Sequence, residues 1–206
     1  MSQGPSFLYS NRALYHWAMR LLYGRFFDAR YLAIAAEVPE NSEVVDVCAG
    51  DCYLYLKYLH RKSVKYLGLD ISPRLVRWAQ KRGVLVREFN VWQDEVPTGN
   101  IVIMQASLYQ FVPRANVMVH KLFAAARHKV IISEPIRNVS ASGNPFLAKL
   151  GHRLTVPSSA RDFYSGQRFD RRSLTEFFNS FQAFERSFII PGGREMVGIF
   201  RGQCQY

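Results

Sequence analysis

Acidic residues are scarce in this 206-residue sequence: 16 Asp and Glu stand against 27 Lys and Arg, a net charge of +11. Such an excess suits an anionic partner, either nucleic acid or an acidic membrane surface, although scattered surface charge also serves solubility. Long apolar runs are absent, and none approaches the ~20 residues of a membrane helix. The N-terminus lacks the basic-then-apolar order of a signal peptide. A soluble, cytoplasmic protein is the expectation. Cysteine is also rare, with only Cys48, Cys52 and Cys204. An odd count with no neighbouring ligands argues against a disulfide framework and against a metal site, leaving three reduced thiols. Charged residues make up 21% and hydrophobic residues 49%, which excludes disorder, collagen-like repeats and coiled coil. The length fits one domain spanning 1–206, able to bury roughly 70% of its unfolded surface.

What is present has order. Residues 1–40 read as an aromatic helical cap, with Leu14, Trp17, Leu21 and Leu22 on one helical face and a second helix over Ala29–Glu37. Short β-branched runs then recur at Val44–Val47, Val64–Leu69, Val84–Phe89, Ile101–Met104 and Val130–Ile132. Helical stretches separate them at Tyr53–His60, after Ser72-Pro73, and near Asn116–Arg127. Strands alternating with helices predict an α/β fold, a mostly parallel sheet covered on both faces. Residues 137–168 have little periodicity and read as an insertion after strand five, with one short helix around Phe146–Arg153, a lid over the site. Ser173 and Glu176 form a capping-box pattern before a helix bearing Leu174, Phe177, Phe178 and Phe181. Phe184–Ile190 and Met196–Phe200 flank Pro191-Gly192-Gly193 as an antiparallel hairpin.

In an open parallel sheet, ligands bind beyond the carboxyl ends of the strands, where strand order reverses. Those ends carry Asp46 to Cys52, Asp70-Ile71, Asn90-Val91, Gln105-Ala106 and Ser133-Glu134. The first turn is not a dinucleotide turn. Asp46 and Asp51 flank it and would repel a pyrophosphate, which needs close glycine backbone and an uncluttered helix N-terminus. They favour a ligand with positive charge and no phosphate, such as the sulfonium and ammonium of S-adenosylmethionine. Asp70 stands where a carboxylate accepts both ribose hydroxyls.

Val44-Val45-Asp46-Val47-Cys48-Ala49-Gly50 resembles the first motif of class I S-adenosylmethionine-dependent methyltransferases, a hydrophobic strand ending D-x-G-x-G-x-G. Gly68-Leu69-Asp70-Ile71-Ser72-Pro73 resembles the second motif, and the closing hairpin resembles their sixth and seventh strands. The resemblance spans nearly the whole chain and implies a Rossmann-like, seven-stranded sheet with helices on both faces. It implies that Asp46, Cys48, Ala49 and Gly50 line the methionine end and that Asp70 and Ile71 take the ribose. Asn90 and Val91 would receive the adenine, and Gln105 and Ala106 would floor the methyl group. Cys48 and Cys52 depart from the pattern, standing where glycines are usual.

Glu134 and His152 are candidate catalytic residues, Glu134 being equally suited to a structural hydrogen bond. His16, His120 and His128 read as inert helical histidines. Tyr15, Tyr109, Arg137 and Tyr164 are candidates to wall an acceptor pocket. No N-P-P-Y sequence follows strand four and no Pro-Cys pair exists, so base methylation is disfavoured. A small-molecule or lipid-like acceptor is the expectation, with RNA less favoured. The alternative is a non-catalytic protein of the same fold that binds an anionic partner. Its basic face would include Arg74, Arg77 and Lys81, within a stretch from Lys57 to Arg87 holding nine basic residues and one acid.

Overall fold

The computed structural model describes residues 12–136 and 168–203, without the side chains of 12–15 and 18. Two helices, α1 (Arg12–Tyr23) and α2 (Ala29–Glu37), precede strand β1 (Glu43–Val47). There follow α3 (Tyr53–Lys57), β2 (Lys65–Asp70), α4 (Pro73–Gln80) and β3 (Val86–Glu88). Then come β4 (Gly99–Gln105), α5 (Ala115–Ala125), β5 (Ala126–Pro135), α6 (Arg171–Asn179), β6 (Phe184–Ile189) and β7 (Glu195–Arg201). The seven strands form one sheet in the order β3-β2-β1-β4-β5-β7-β6. β1 to β5 run parallel, whereas β7 is antiparallel to both β5 and β6. The expected mostly parallel sheet with its closing hairpin is therefore present.

The β-branched runs form strands because their alternate residues feed two separate cores. Val45, Val47, Val102, Met104, Val130 and Ile132 pack under α5 and α6. Val44, Ile101, Ile103, Ile131, Val197 and Ile199 pack under α2, α3 and α4. Strand order reverses between β1 and β4, so the crevice above their carboxyl ends is the place for a ligand.

Several boundaries move. The third strand shrinks from the expected Val84–Phe89 to Val86–Glu88, because only those residues pair with β2. The fifth grows back to Ala126, since Ala126 pairs with Gly99 at the foot of β4. The helix expected over Tyr53–His60 stops at Lys57 and gives way to a 3-10 turn, Leu59–Lys62. The cap of α6 lies three residues earlier than Ser173. Asp170 accepts the Ser173 amide at 2.7 Å, while the Ser173 hydroxyl accepts the Asp170 amide at 3.0 Å. An aspartate caps as well as a serine, so the reading that began at Ser173 was one turn too late. The short helix expected around Phe146–Arg153 lies outside the described residues.

One glycine is required by packing. A Cβ at Gly198, in the middle of β7, would lie 2.6 Å from the ring of Phe178. Phe178 is fully buried and stacks edge-on to Phe200 at 5.2 Å. Gly198→Ala should therefore push α6 off the sheet and destabilise the fold by roughly 1–3 kcal/mol, as overpacking does. Urea denaturation checks this, with the midpoint falling and the slope unchanged.

Candidate functional site

The turn after β1 is left-handed at every second residue. Cys48, Gly50 and Cys52 have φ of 61°, 60° and 55°. Glycine adopts this region freely, whereas a side chain there costs roughly 1–2 kcal/mol. The two cysteines thus hold a glycine-type backbone under strain. Cys52 offsets its share by burying its sulfur completely beside Gly68, where a Cβ would come within 2.9 Å. Cys48 is only half-buried. Burial, then the charge of Asp70, pushes its thiol up, so it is no thiolate nucleophile. Cys48→Gly should stabilise the protein by about 1 kcal/mol, whereas Cys52→Gly gains less because it empties a filled site. Equilibrium unfolding of the two variants checks the order.

Asp70 ties this turn to β2. One carboxylate oxygen accepts the Gly50 amide at 2.7 Å and the other accepts the Ser72 amide at 2.9 Å. Burial raises its pKa, opposed by those two amides. Among the described residues nothing lies within 4 Å of the Cβ position at Gly50, so they leave the space over the turn open. Ile71, next along, is an exposed apolar side chain at the same edge. Ala49 donates its amide to the Leu69 carbonyl at 3.0 Å, which seats the turn on β2.

Asp46 lies beneath the turn, buried, accepting the Tyr66 hydroxyl at 2.8 Å. Burial pushes its pKa up to about 7, against the Tyr66 bond and with help from Asp70. The folded protein therefore keeps a proton that an unfolded aspartate releases near pH 4. The stability this group contributes is present below about pH 4 and is lost as pH rises through about 7. Asp46→Asn keeps the Tyr66 bond without the charge. It should flatten the fall in melting temperature between pH 5 and pH 8, an effect on the order of a few kcal/mol. Thermal melts of both proteins across that range provide the check.

Asn90 turns partly back on its own loop. Its side-chain oxygen accepts the Trp92 amide at 3.1 Å, which leaves the side-chain amide hydrogens for a ligand. Val91 is buried, and its carbonyl accepts the Lys121 ammonium at 2.6 Å. At the end of β4, the Gln105 side-chain nitrogen is buried with no hydrogen-bond partner among the described residues. Ala106 is left-handed (φ 51°) and donates its amide to the Ser133 carbonyl.

Glu134 is buried on β5 and accepts the Leu108 amide at 2.9 Å through one oxygen. Its other oxygen has no hydrogen-bond partner among the described residues. Burial and then Glu195 raise its pKa well above the usual carboxylate range, against the Leu108 and Tyr109 amides and Arg168. Tyr109 is buried with the Arg168 guanidinium 4.4 Å above its ring. Tyr15 falls on α1, and Arg137, His152 and Tyr164 lie outside the described residues, as does the rest of the expected lid but Arg168.

His16 is not inert. It reaches from α1 to the turn, its Nε2 2.6 Å from the Asp51 carboxylate, with its ring 4.8 Å from that of Tyr53. A second link binds the helical cap to the hairpin. Arg30 on α2, almost fully buried, pairs with the fully buried Glu195 at 2.9 Å. Tyr23 and Ser133 donate their hydroxyls to the same carboxylate, at 3.2 and 2.5 Å. The sequence carries one clue to these partners, since His16 and Tyr23 lie seven apart on one helical face.

No family profile matches the chain. No curated protein matches it either. Solved structures do. The magnesium protoporphyrin IX methyltransferase of Synechocystis, with bound SAH, is 14% identical; the match covers 96% of this chain and 97% of that one, with a TM-score of 0.62. The methyltransferase in complex with the Trm112 methyltransferase activator of Haloferax volcanii is 11% identical, covers 98% and 99%, and has a TM-score of 0.70. Human N-acetylserotonin methyltransferase, in complex with SAM, is 14% identical, covers 95% and 57%, and has a TM-score of 0.62. At these identities the likeness is one of fold. The chain has the fold of the class I S-adenosylmethionine-dependent methyltransferases.

Proposed function

We propose that this chain is an S-adenosylmethionine-dependent methyltransferase acting on a small-molecule or lipid-like acceptor. The observation that carries the reading is the open left-handed turn over Gly50, held by a buried carboxylate at Asp70 and bordered by the exposed Ile71. Each oxygen of Asp70 keeps a lone pair beyond its backbone bond, enough to accept two ribose hydroxyls. Ile71 offers an apolar face to an adenine ring, and Asn90 and Val91 close that end. Gly50 admits a ligand where a side chain would stand in its way. A sulfonium methyl donor supplies an electrophilic methyl group for in-line displacement when bound. The remaining work is alignment and exclusion of water, which asks little covalent chemistry of the protein.

Gln105 and Ala106 would floor the methyl group. Glu134 keeps one oxygen without a hydrogen-bond partner among the described residues, and burial favours its protonated form, which suits it to hold an acceptor by a hydrogen bond and not to take its proton. Tyr109 under Arg168 would form one wall of the acceptor pocket. The fold likeness to enzymes of small molecules supports this acceptor class.

Asp70→Ala tests the reading. Charge-assisted hydrogen bonds are each worth about 1.5–3 kcal/mol, so cofactor affinity should fall at least tenfold. Calorimetry with S-adenosylmethionine gives the comparison, alongside circular dichroism to confirm the fold. Unchanged affinity in a folded variant removes Asp70 from the site.

A second reading has its own observation. Arg74, Arg77, Lys81, Arg82 and Arg87 are all exposed along α4 and β3, and none makes an ion pair among the described residues. That face supports a non-catalytic protein of this fold bound to an anionic partner. Absence of cofactor binding at millimolar ligand would favour this second reading over the first.

A further inference from the structure

Helix α1 buries one face and leaves an apolar stripe on the other. His16 and Tyr23 point inward, to Asp51 and Glu195. Trp17 and Leu21, four residues apart on the opposite side, remain 60% and 57% exposed. The inward face is already taken by those polar contacts, so the stripe is not a core face waiting to turn in. On α2, Leu32 is also exposed. Beside the stripe stand Arg20 and Arg25, exposed and without an ion pair among the described residues. Their guanidinium groups lie over the rings of Phe27 and Phe26 at 5.1 and 4.8 Å, which holds them close to the helix. The sequence places no Asp or Glu before Asp28.

A helix with Trp and Leu on one side, arginines beside them and no acid is built for the interface of an anionic bilayer. Tryptophan takes up the headgroup level, leucine reaches the acyl boundary, and arginine pairs with phosphate while its stem stays apolar. Two other occupants fit less well. A second copy of this chain would gather the guanidinium groups of Arg20 and Arg25 from both copies into one seam, with no acid from either α1 to offset them. Single-stranded nucleic acid would stack on Trp17 but has no use for the exposed aliphatic Leu21 and Leu32. We propose that α1 is a membrane-docking helix, which seats Trp17 and Leu21 in the surface of an anionic lipid bilayer. This deepens the lipid-like acceptor reading, since the same helix touches the turn of the candidate site through His16. A membrane-bound α1 would then bring the site to a substrate held in the bilayer.

The test needs no methyl transfer, so its failure is distinct from failure of the enzyme reading. The full chain is mixed with vesicles of phosphatidylcholine, or of equimolar phosphatidylcholine and phosphatidylglycerol, and the bound fraction is measured by flotation. Binding is expected to the anionic vesicles only, with a blue shift of tryptophan emission that Trp17→Phe abolishes. The double variant Trp17→Ser, Leu21→Ser should bind those vesicles at least about a hundredfold more weakly, as loss of two buried apolar side chains requires. Its affinity for S-adenosylmethionine, measured by calorimetry, should match the parent, because neither residue faces the turn. Arg77→Glu with Lys81→Glu, on α4, should leave the blue shift in place. The proposal is overturned if the parent fails to float with anionic vesicles, or if the double variant floats as well as the parent. It is also overturned by a dimer in light scattering that the double variant abolishes, which assigns the stripe to a second copy. Tighter binding to polyuridylate than to the vesicles, lost in the double variant, assigns it to nucleic acid and equally overturns it.

Discussion

The carboxylate of Asp70 is the point on which the site is hung. It sits at the carboxyl end of β2 and reaches across to the amide of Gly50 while its second oxygen closes the start of α4 through Ser72. Three neighbouring pieces of backbone are fixed by one side chain: the end of a strand, a left-handed turn and the first turn of a helix. A buried carboxylate with only amide partners is costly, and its raised pKa records that cost. Two cysteines held at positive φ add to it. Strain concentrated at the crevice, on top of well-filled cores, is the pattern of a place built to receive something.

The helical cap packs on the sheet through Tyr23, Phe27, Tyr31, Ile34 and Val38, and two polar links cross that apolar seam. His16 meets Asp51 at the turn, while Arg30 meets Glu195, Tyr23 and Ser133 between α2 and the hairpin. The guanidinium of Arg30 also lies over the rings of Tyr23 and Tyr31, at 4.6 and 5.3 Å, so its buried charge is enclosed on several sides. Buried ion pairs contribute little net stability compared with apolar packing, but losing one partner strands the other. They add a specific geometry to the apolar packing of the two helices, in which Trp17 and Leu21 lie on the outward side.

The sheet was legible because periodicity and strand-ending residues carry it directly, and the same signals located Asp70, Gly50, Ile71 and Asn90 on one end of the sheet. The order of the strands, and with it the switch point between β1 and β4, comes from the structure, since strand alternation leaves the order open. What stayed hidden depends on contacts remote in sequence. His16 meets a residue 35 positions away, and Tyr23 meets one 172 positions away, distances that no helical face or turn signal encodes. Glu195 was missed because it opens a strand that otherwise reads as apolar, and a hairpin carboxylate looks like a surface residue until Arg30 is placed beside it. The cap at Asp170 lies one turn before the expected Ser173 because Ser173 itself closes the capping box as its third helical residue, which the Ser173-to-Glu176 spacing does not reveal.

The charge excess gains meaning from where the acids went. Asp46, Asp70, Glu134 and Glu195 are buried. Glu37 is shared by Lys129 and Arg186, and Glu43 by Lys65 and Arg127, at the end of the sheet opposite the candidate site. Burial raises the pKa of Asp46 and of Glu134, which disfavours their negative charge. The outward faces of α1 and α4 carry arginine and lysine with few acids to answer them. Unanswered positive charge over those faces gives them a field of one sign. The few acids of the sequence are thus partly withdrawn from the surface, four into the interior and two into ion pairs at the sheet's far end, while Arg74, Arg77 and Lys81 stay exposed without an ion pair among the described residues.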